Sequence, residues 1–164
     1  MNATNRLGEA FLEQARSHLT EDFMPKIRKC IEILNDDELW WRADESNNSV
    51  GNLILHLCGN VRQWIVSGLG ETPDLRHRSK EFSERGHIPK AELLAKLEET
   101  VQEAAGVLAA FRSDALLTER SIQGFQKTGL QAIFHVVEHF SFHTGQIIYI
   151  TKLRRRVDLK FYDL

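Results

Sequence analysis

Apolar side chains recur at helical spacing in four long stretches of this chain, and this pattern restricts its fold more than any other feature. The first stretch has apolar or small residues at every fourth position, namely Leu7, Phe11, Ala15, Leu19, Phe23, Ile27 and Ile31. Positions spaced in this way lie on one face of a helix. We therefore predict an amphipathic helix over about residues 5–35, kinked at Pro25 because proline removes a backbone donor and crowds the preceding turn.

The second predicted helix carries the segment "VGNLILHLCGNVRQWIVSG". Asn48 and Ser49 are both good N-cap residues, and the helix can begin at either of them. Gly68 or Gly70 ends it, since glycine is common just after the last helical turn.

Two further helices follow the same pattern. Pro89 suits the first turn of the third helix, which continues to about residue 113. After a short extended or irregular segment at 121–129, Thr128 and Gln131 form a capping-box pattern that begins a fourth helix of about 25 residues. That helix ends in "KLRRR", where cations complement the helix dipole.

Four helices of this length predict an all-α fold, a four-helix bundle formed by a single domain over residues 1–164. Residues 71–88 are charged and poorly periodic, and they separate helices two and three. A connection this long is uncommon in a small domain. It is compatible with a long crossover that leaves two neighbouring helices parallel.

Composition excludes several classes of function. The net charge of −2 gives no reason to expect binding to nucleic acid or to an anionic membrane. We find no apolar run long enough to span a bilayer and no secretory signal. Cys30 and Cys58 are too few for a disulfide framework, so both are predicted to be reduced and buried in a cytoplasmic protein.

Histidines in the segment "EHFSFHTGQIIYI" provide the functional lead. His139 and His143 lie four residues apart, so both imidazoles can reach one point beside the helix, as in many zinc sites. The best third ligand is His56, which borders the apolar face of the second helix. Spacing alone leaves His135 open as a ligand. Spacing also leaves open that these are buried histidines hydrogen-bonded to protein groups, which is the more common role of a histidine on an apolar helix face.

Together these residues resemble the DinB-like (damage-inducible) superfamily of metal-dependent four-helix-bundle proteins. The resemblance extends over nearly the whole chain and includes the linker "DLRHRSKEF", which is similar to an arginine-rich insert of one branch. The matching motif positions are His56, His139, His143, Gly145, Gln146 and Ile147.

This resemblance implies a divalent metal, zinc or nickel, held by His56, His139 and His143 with open positions for water or substrate. It implies that His135 is not a ligand. It also implies a long crossover between helices two and three and a homodimer.

The expected function is that of a metal-dependent enzyme on a small-molecule substrate, most similar to the thiol S-transferases of the superfamily. In that reaction the metal activates a low-molecular-weight thiol. Two alternatives stay open: a hydrolase in which the metal activates water, and a non-catalytic metal-binding stress or interaction protein. A fourth protein ligand would favour the non-catalytic alternative.

Supporting roles are less specific. Gln146 could hydrogen-bond a ligand histidine or lie at the surface. Arg76 and Arg78, with Glu81, could cover the metal and bind an acidic thiol cofactor, although a solvated charge run has the same composition. Three further histidines are predicted at the surface, namely His18, His77 and His87.

Overall fold

A computed structural model describes residues 3–86 and 88–161 of the chain. In it, the first bundle helix is built from three consecutive helical segments. They are α1 (Ala3–Ser17), a π-helical segment (His18–Phe23) and α2 (Met24–Ile33). Pro25 lies in the first turn of α2, where a missing backbone N–H is tolerated. A wider π-helical turn lies directly before it. The predicted helix is therefore present, and Pro25 coincides with a change of helix type.

The buried face of this helix differs from the predicted one near its N-terminal end. Leu7 is 73% exposed, whereas Leu12 is buried. A strict four-residue spacing advances 400° per step, so the pattern drifts by about 40° at each repeat around a regular helix. From Ala15 onward the predicted positions are buried. The wider turn of the π segment over His18–Phe23 counteracts the drift along this part of the helix.

The second bundle helix follows a loop that contains the short α3 (Asp36–Leu39). It consists of α4 (Val50–Val61) and a π-helical end (Arg62–Ser67). Ser49 is its N-cap: its side chain accepts a hydrogen bond from the Asn52 backbone, and the Asn52 side chain accepts one from the Ser49 backbone.

The connection to the third bundle helix is partly ordered as α5 (Arg78–Ser83). The third helix is α6 (Lys90–Ala110), preceded by Pro89. A 3₁₀ turn (Ser113–Ala115) then leads toward the last quarter of the chain.

The segment before the fourth helix is a β-hairpin, formed by β1 (Glu119–Ile122) and β2 (Phe125–Thr128) in antiparallel register. Thr128 then caps the fourth bundle helix, α7 (Gly129–Arg155), through the predicted capping box with Gln131.

Packing among these elements confirms the all-α four-helix bundle. α4 packs against α6, α7 and α5, while α2 packs against α7 and α6. The core between them is apolar, and both cysteines are free and buried in it, as predicted.

Leu159 in the tail is also buried, and the end of the tail beyond residue 161 lies outside the described residues. Within the described chain, no helix combines the length and apolarity needed to cross a bilayer.

Candidate metal centre

α4 and α7 bring three of the predicted histidines together. The ring centroid of His56 lies 4.9 Å from that of His139 and 5.1 Å from that of His143. The two α7 rings are 4.4 Å apart, as expected for residues separated by one helical turn. One ring nitrogen of each histidine lies within 4.8 Å of the other two, which is a geometry that can hold a metal ion.

The contacts of His56 fix which of its nitrogens faces the cluster. Its Nδ1 lies 2.8 Å from Oε2 of Glu81 and 3.2 Å from Nη2 of Arg76. A carboxylate only accepts, so the shorter contact places a proton on Nδ1, which donates it to Glu81. Nη2 of Arg76 donates to the same carboxylate oxygen, at 2.9 Å. Nε2 of His56 then carries the lone pair of the ring, and this atom lies toward the other two histidines.

His143 has the same arrangement. Its Nδ1 lies 2.7 Å from Oε1 of Gln146, to which it donates. Its Nε2 is buried and has no hydrogen-bond partner among the described residues. Nε2 of His139 lies 2.9 Å from Nε2 of His56. An unpartnered buried nitrogen costs roughly 1–3 kcal/mol, and a cation shared by the three lone pairs would satisfy it.

Burial favours the neutral form of the two α7 imidazoles of the cluster. Burial lowers the pKa of His139 to about 3, and the neighbouring His143 and His56 act in the same direction. Burial also lowers the pKa of His143, partly opposed by its hydrogen bond to Gln146. Neutral imidazoles are the form that binds metal, so protons compete weakly for these nitrogens at neutral pH.

Glu81 belongs to a buried chain of hydrogen bonds that runs away from the cluster. Arg76 donates to both of its carboxylate oxygens, at 2.7 and 2.9 Å. Arg76 also donates from Nη1 to Oε1 of Gln63 at 2.8 Å, and Gln63 donates to Asp74 at 2.7 Å. The carboxylate that holds His56 is therefore itself held in position by a bidentate arginine.

The charge of Glu81 is stabilised inside the protein. Burial by itself would raise the pKa of this carboxyl group, but hydrogen bonds from Arg76 and His56 lower it by more, so its pKa lies below the ordinary value. A carboxylate–histidine pair of this kind orients a metal ligand and increases its basicity.

Two further residues of α4 hold the linker against the site. The Asn52 amide donates to the backbone carbonyls of Glu81 and Glu84, at 2.9 and 3.1 Å. Gly59 leaves the space that the Glu81 carboxylate occupies, because a Cβ at Gly59 would overlap its Oε1. The linker is thus anchored where it contacts His56.

His135 lies next to the cluster but not in it. Its ring stacks on His139 at 5.4 Å and packs against Trp64 at 4.4 Å. Its Nε2 is 3.3 Å from the amide nitrogen of Asn60. His135 therefore has its own polar partner, and it is not among the three histidines whose ring nitrogens converge.

The two arginines proposed for thiol binding lie in different environments. The side chain of Arg76 is 5% exposed and engaged with Glu81 and Gln63, so binding a cofactor would require it to leave those contacts. Arg78 lies at the surface over the Phe82 ring, 5.1 Å from its centroid. Arg76 and Glu81 are not part of a solvated charged surface, since both side chains are buried.

The remaining predicted residues are placed as follows. Gln146 contacts His143 and is exposed, so it combines both roles considered for it. His77 is exposed, and His18 stacks on Phe23 at a ring distance of 5.4 Å. His87 lies outside the described residues.

The histidine motifs did not predict the buried polar network around Glu81, but the sequence contains a pattern that indicates it. Polar residues recur at helical spacing along one side of α4 and its π-helical end, at Ser49, Asn52, His56, Asn60 and Gln63. All five are buried. A polar stripe inside an otherwise apolar helix predicts a second polar surface packed against it, and the charged linker was the available candidate.

Comparison with known proteins agrees with this fold. A crystal structure of a DinB-like protein from Bacillus cereus ATCC 10987 matches with a TM-score of 0.66 and 13% identity, covering 86% of this chain and 91% of that chain. A conserved protein from Enterococcus faecalis matches with a TM-score of 0.65 and 16% identity, covering 96% and 99%. No curated protein sequence matches significantly.

Because both identities are low, these similarities show the fold and nothing further. The sequence itself also matches a family model, described as "Protein of unknown function (DUF1572)", over residues 6–162. That match covers nearly all of the described chain, including the three clustered histidines. The chain therefore belongs to the DUF1572 family, and its fold is similar to that of the DinB-like protein.

Proposed function

We propose that this protein is a metal-dependent enzyme that joins a low-molecular-weight thiol to an electrophilic small molecule, in the manner of an S-transferase. The observation that carries the proposal is the convergence of three imidazole nitrogens on one point, with Nε2 of His143 buried and unpartnered. DinB-like proteins are metal-binding, which agrees with this assignment.

The donor set favours catalysis over a structural role. The candidate cluster in the described residues comprises three histidines, and a zinc site with three protein ligands keeps a position for a further ligand. Glu81 approaches from the far side of His56 and is occupied by Nδ1 of that ring and by Arg76. It is therefore a positioning residue and not a fourth ligand.

His56, His139 and His143 would hold the cation, and its identity is proposed as zinc or nickel because imidazole suits both. When bound, a divalent cation lowers the pKa of a coordinated thiol or water enough to produce a nucleophile at neutral pH. Glu81 and Gln146 would keep the Nδ1 protons of His56 and His143 in place and their lone pairs directed inward.

The reacting sulfur must come from a separate molecule. Cys58 is buried, and that burial raises the pKa of its thiol to about 12. Cys30 is also buried, and burial raises the pKa of its thiol as well. Neither side chain can supply a thiolate at neutral pH. A small thiol substrate, two reduced cysteines and a cytoplasmic location are mutually consistent parts of the proposal.

The test is a conjugation assay with monochlorobimane and a panel of low-molecular-weight thiols. In each turnover the thiol loses its proton to solvent, a C–S bond forms and chloride leaves. We expect the metal-loaded protein to accelerate the reaction for at least one thiol, and the metal-free protein and His143→Ala to lack this activity. Metal-loaded protein that accelerates conjugation of no thiol in the panel would overturn the transferase proposal. Elemental analysis of the same samples shows whether the metal itself is present.

The homodimer implied by the resemblance stays a prediction. Five large apolar side chains of α7 are exposed among the described residues, namely Leu130, Phe134, Phe142, Tyr149 and Leu153. Exposed apolar surface of this kind is often covered in an assembly. Sedimentation velocity over a range of protein concentrations distinguishes a monomer from a dimer.

A further inference from the structure

A groove runs between the loop at residues 41–48 and the outer side of α7. Its volume is about 550 Å³, within the range typical of small-molecule sites. Trp41 forms part of the wall on the loop side, and Phe142 and Tyr149 form part of the wall on the helix side. Phe142 and Tyr149 are 63% and 69% exposed, so this apolar surface is accessible in the single chain.

The charge of the groove is unusual for an apolar surface. Arg42 is the one charged side chain among the described residues that line it, and it is half-buried. No carboxylate in the described part of the chain forms an ion pair with it; its Nη2 donates to Oδ1 of Asn52 at 3.3 Å. A guanidinium has five N–H donors, so Arg42 retains donors for an anionic group in the groove.

The groove adjoins the candidate metal centre through two of its lining residues. Gln146 accepts the hydrogen bond from Nδ1 of His143, at 2.7 Å. The ring of Phe142 lies edge-on to His143, with centroids 5.2 Å apart. A molecule bound in the groove would therefore lie directly beside a proposed metal ligand.

We propose that this groove binds a small molecule with an apolar, aromatic body and one anionic group, and that this molecule is the electrophilic substrate. The aromatic walls match the apolar body, and Arg42 matches the anion. The identification as substrate rests on the proposed function. The binding itself does not, because it depends on residues other than the three clustered histidines.

Gly145 allows the groove to be filled without disturbing the core. It lines the groove in the middle of α7, and a Cβ built there meets no atom within 4 Å. Leucine is favoured over glycine by roughly 1 kcal/mol inside a helix, so Gly145→Leu should fold. Gly106 in α6 is the matched control, since a Cβ there also meets nothing within 4 Å and the residue does not line this groove.

The probe is 8-anilinonaphthalene-1-sulfonate, an aromatic molecule with one sulfonate, titrated by fluorescence against the metal-loaded protein. We expect saturable binding by wild type and by Gly106→Leu, and binding at least about tenfold weaker by Gly145→Leu. Arg42→Gln should lose the preference for this probe over the uncharged N-phenyl-1-naphthylamine, and Arg42→Lys should retain it.

Two results from the Gly145→Leu variant would overturn the groove as a ligand site. One is binding of the sulfonate by Gly145→Leu with wild-type affinity. The other is a wild-type dimer that binds no probe and becomes monomeric in Gly145→Leu, which would make the groove a contact between two copies. Metal content of the same samples separates the two proposals. If the protein contains metal but does not bind the probe, only the groove proposal is wrong. If the protein binds the probe but takes up no metal, only the enzyme proposal is wrong.

Discussion

The second bundle helix has two buried sides of opposite chemistry. On one side, Leu53, Leu57 and Val61 are buried in the apolar core. On the other, Asn52, His56 and their polar neighbours are buried just as fully against the linker and α7. Burial of apolar surface is favourable at roughly 25 cal/mol per Å², whereas burial of a polar group is unfavourable until it is hydrogen-bonded.

The difference indicates what each side contributes. The apolar side accounts for stability of the bundle. The polar side adds little net stability, because its hydrogen bonds mainly offset the desolvation of its own groups. It places Nε2 of His56 beside the two histidines of α7 and a carboxylate behind that ring, which is an arrangement suited to binding. Four predictions test this division between stability and binding.

The largest effect on folding is expected on the apolar side. Leu57 is fully buried, so Leu57→Ala should reduce the free energy of unfolding by about 2–5 kcal/mol through lost burial and a residual cavity. Urea denaturation of the metal-free protein measures this change. The folded variant should still bind metal with wild-type stoichiometry. Loss of metal together with full stability would contradict the proposed division.

The largest effect on metal binding is expected at His56, the residue next to Leu57 in the sequence. His56→Ala should weaken metal affinity by more than ~100-fold, because it removes a ligand and not only its support. Its effect on the unfolding free energy of the metal-free protein should be smaller than that of Leu57→Ala. His135→Gln is the control, since that ring stacks on His139 without joining the cluster. Isothermal titration calorimetry with zinc and nickel compares the three proteins.

A smaller effect on binding is expected from the linker. Glu81→Gln keeps an acceptor for Nδ1 of His56 but removes the negative charge, so metal affinity should fall by about 10–100-fold. Glu45→Gln serves as the control because its side chain is 86% exposed in a loop. Unchanged affinity in Glu81→Gln would show that the carboxylate serves only to anchor the linker.

The most modest effect is expected in the pH dependence of the metal-free protein. The pKa of His139 is about 3 in the folded protein, against an ordinary value of 6.5. As the pH falls below 6.5, the unfolded chain binds a proton at His139 that the folded protein does not, so stability decreases toward pH 3. Glu81 acts in the same direction at lower pH, because its folded pKa is also lowered.

Urea midpoints at pH 7.5, 6.5 and 5.5 measure this dependence, and His139→Gln should flatten it. Metal-loaded wild type should also lose its metal on acidification, since protons compete for the ligand nitrogens. Its urea midpoint should therefore fall more steeply than that of the metal-free protein. A midpoint for metal-free wild type that rises on acidification would contradict the neutral state assigned to His139.

The sequence by itself determined the bundle and most of its helix ends. Hydrophobic periodicity specifies which helix faces are buried, and Ser49 and Thr128 cap their helices by contacts three residues away. These interactions are local, so local sequence is sufficient to predict them. The pairing of His139 with His143 is local for the same reason.

Only the tertiary structure decided what surrounds the histidines. Glu81 is 25 residues from His56 along the chain, and the buried position of Arg76 depends on Gln63 and on the space left by Gly59. A charged linker has the same composition whether it is solvated or folded inward. What distinguishes the two is whether every buried charge finds a partner, and that depends on contacts between distant segments that no local pattern specifies.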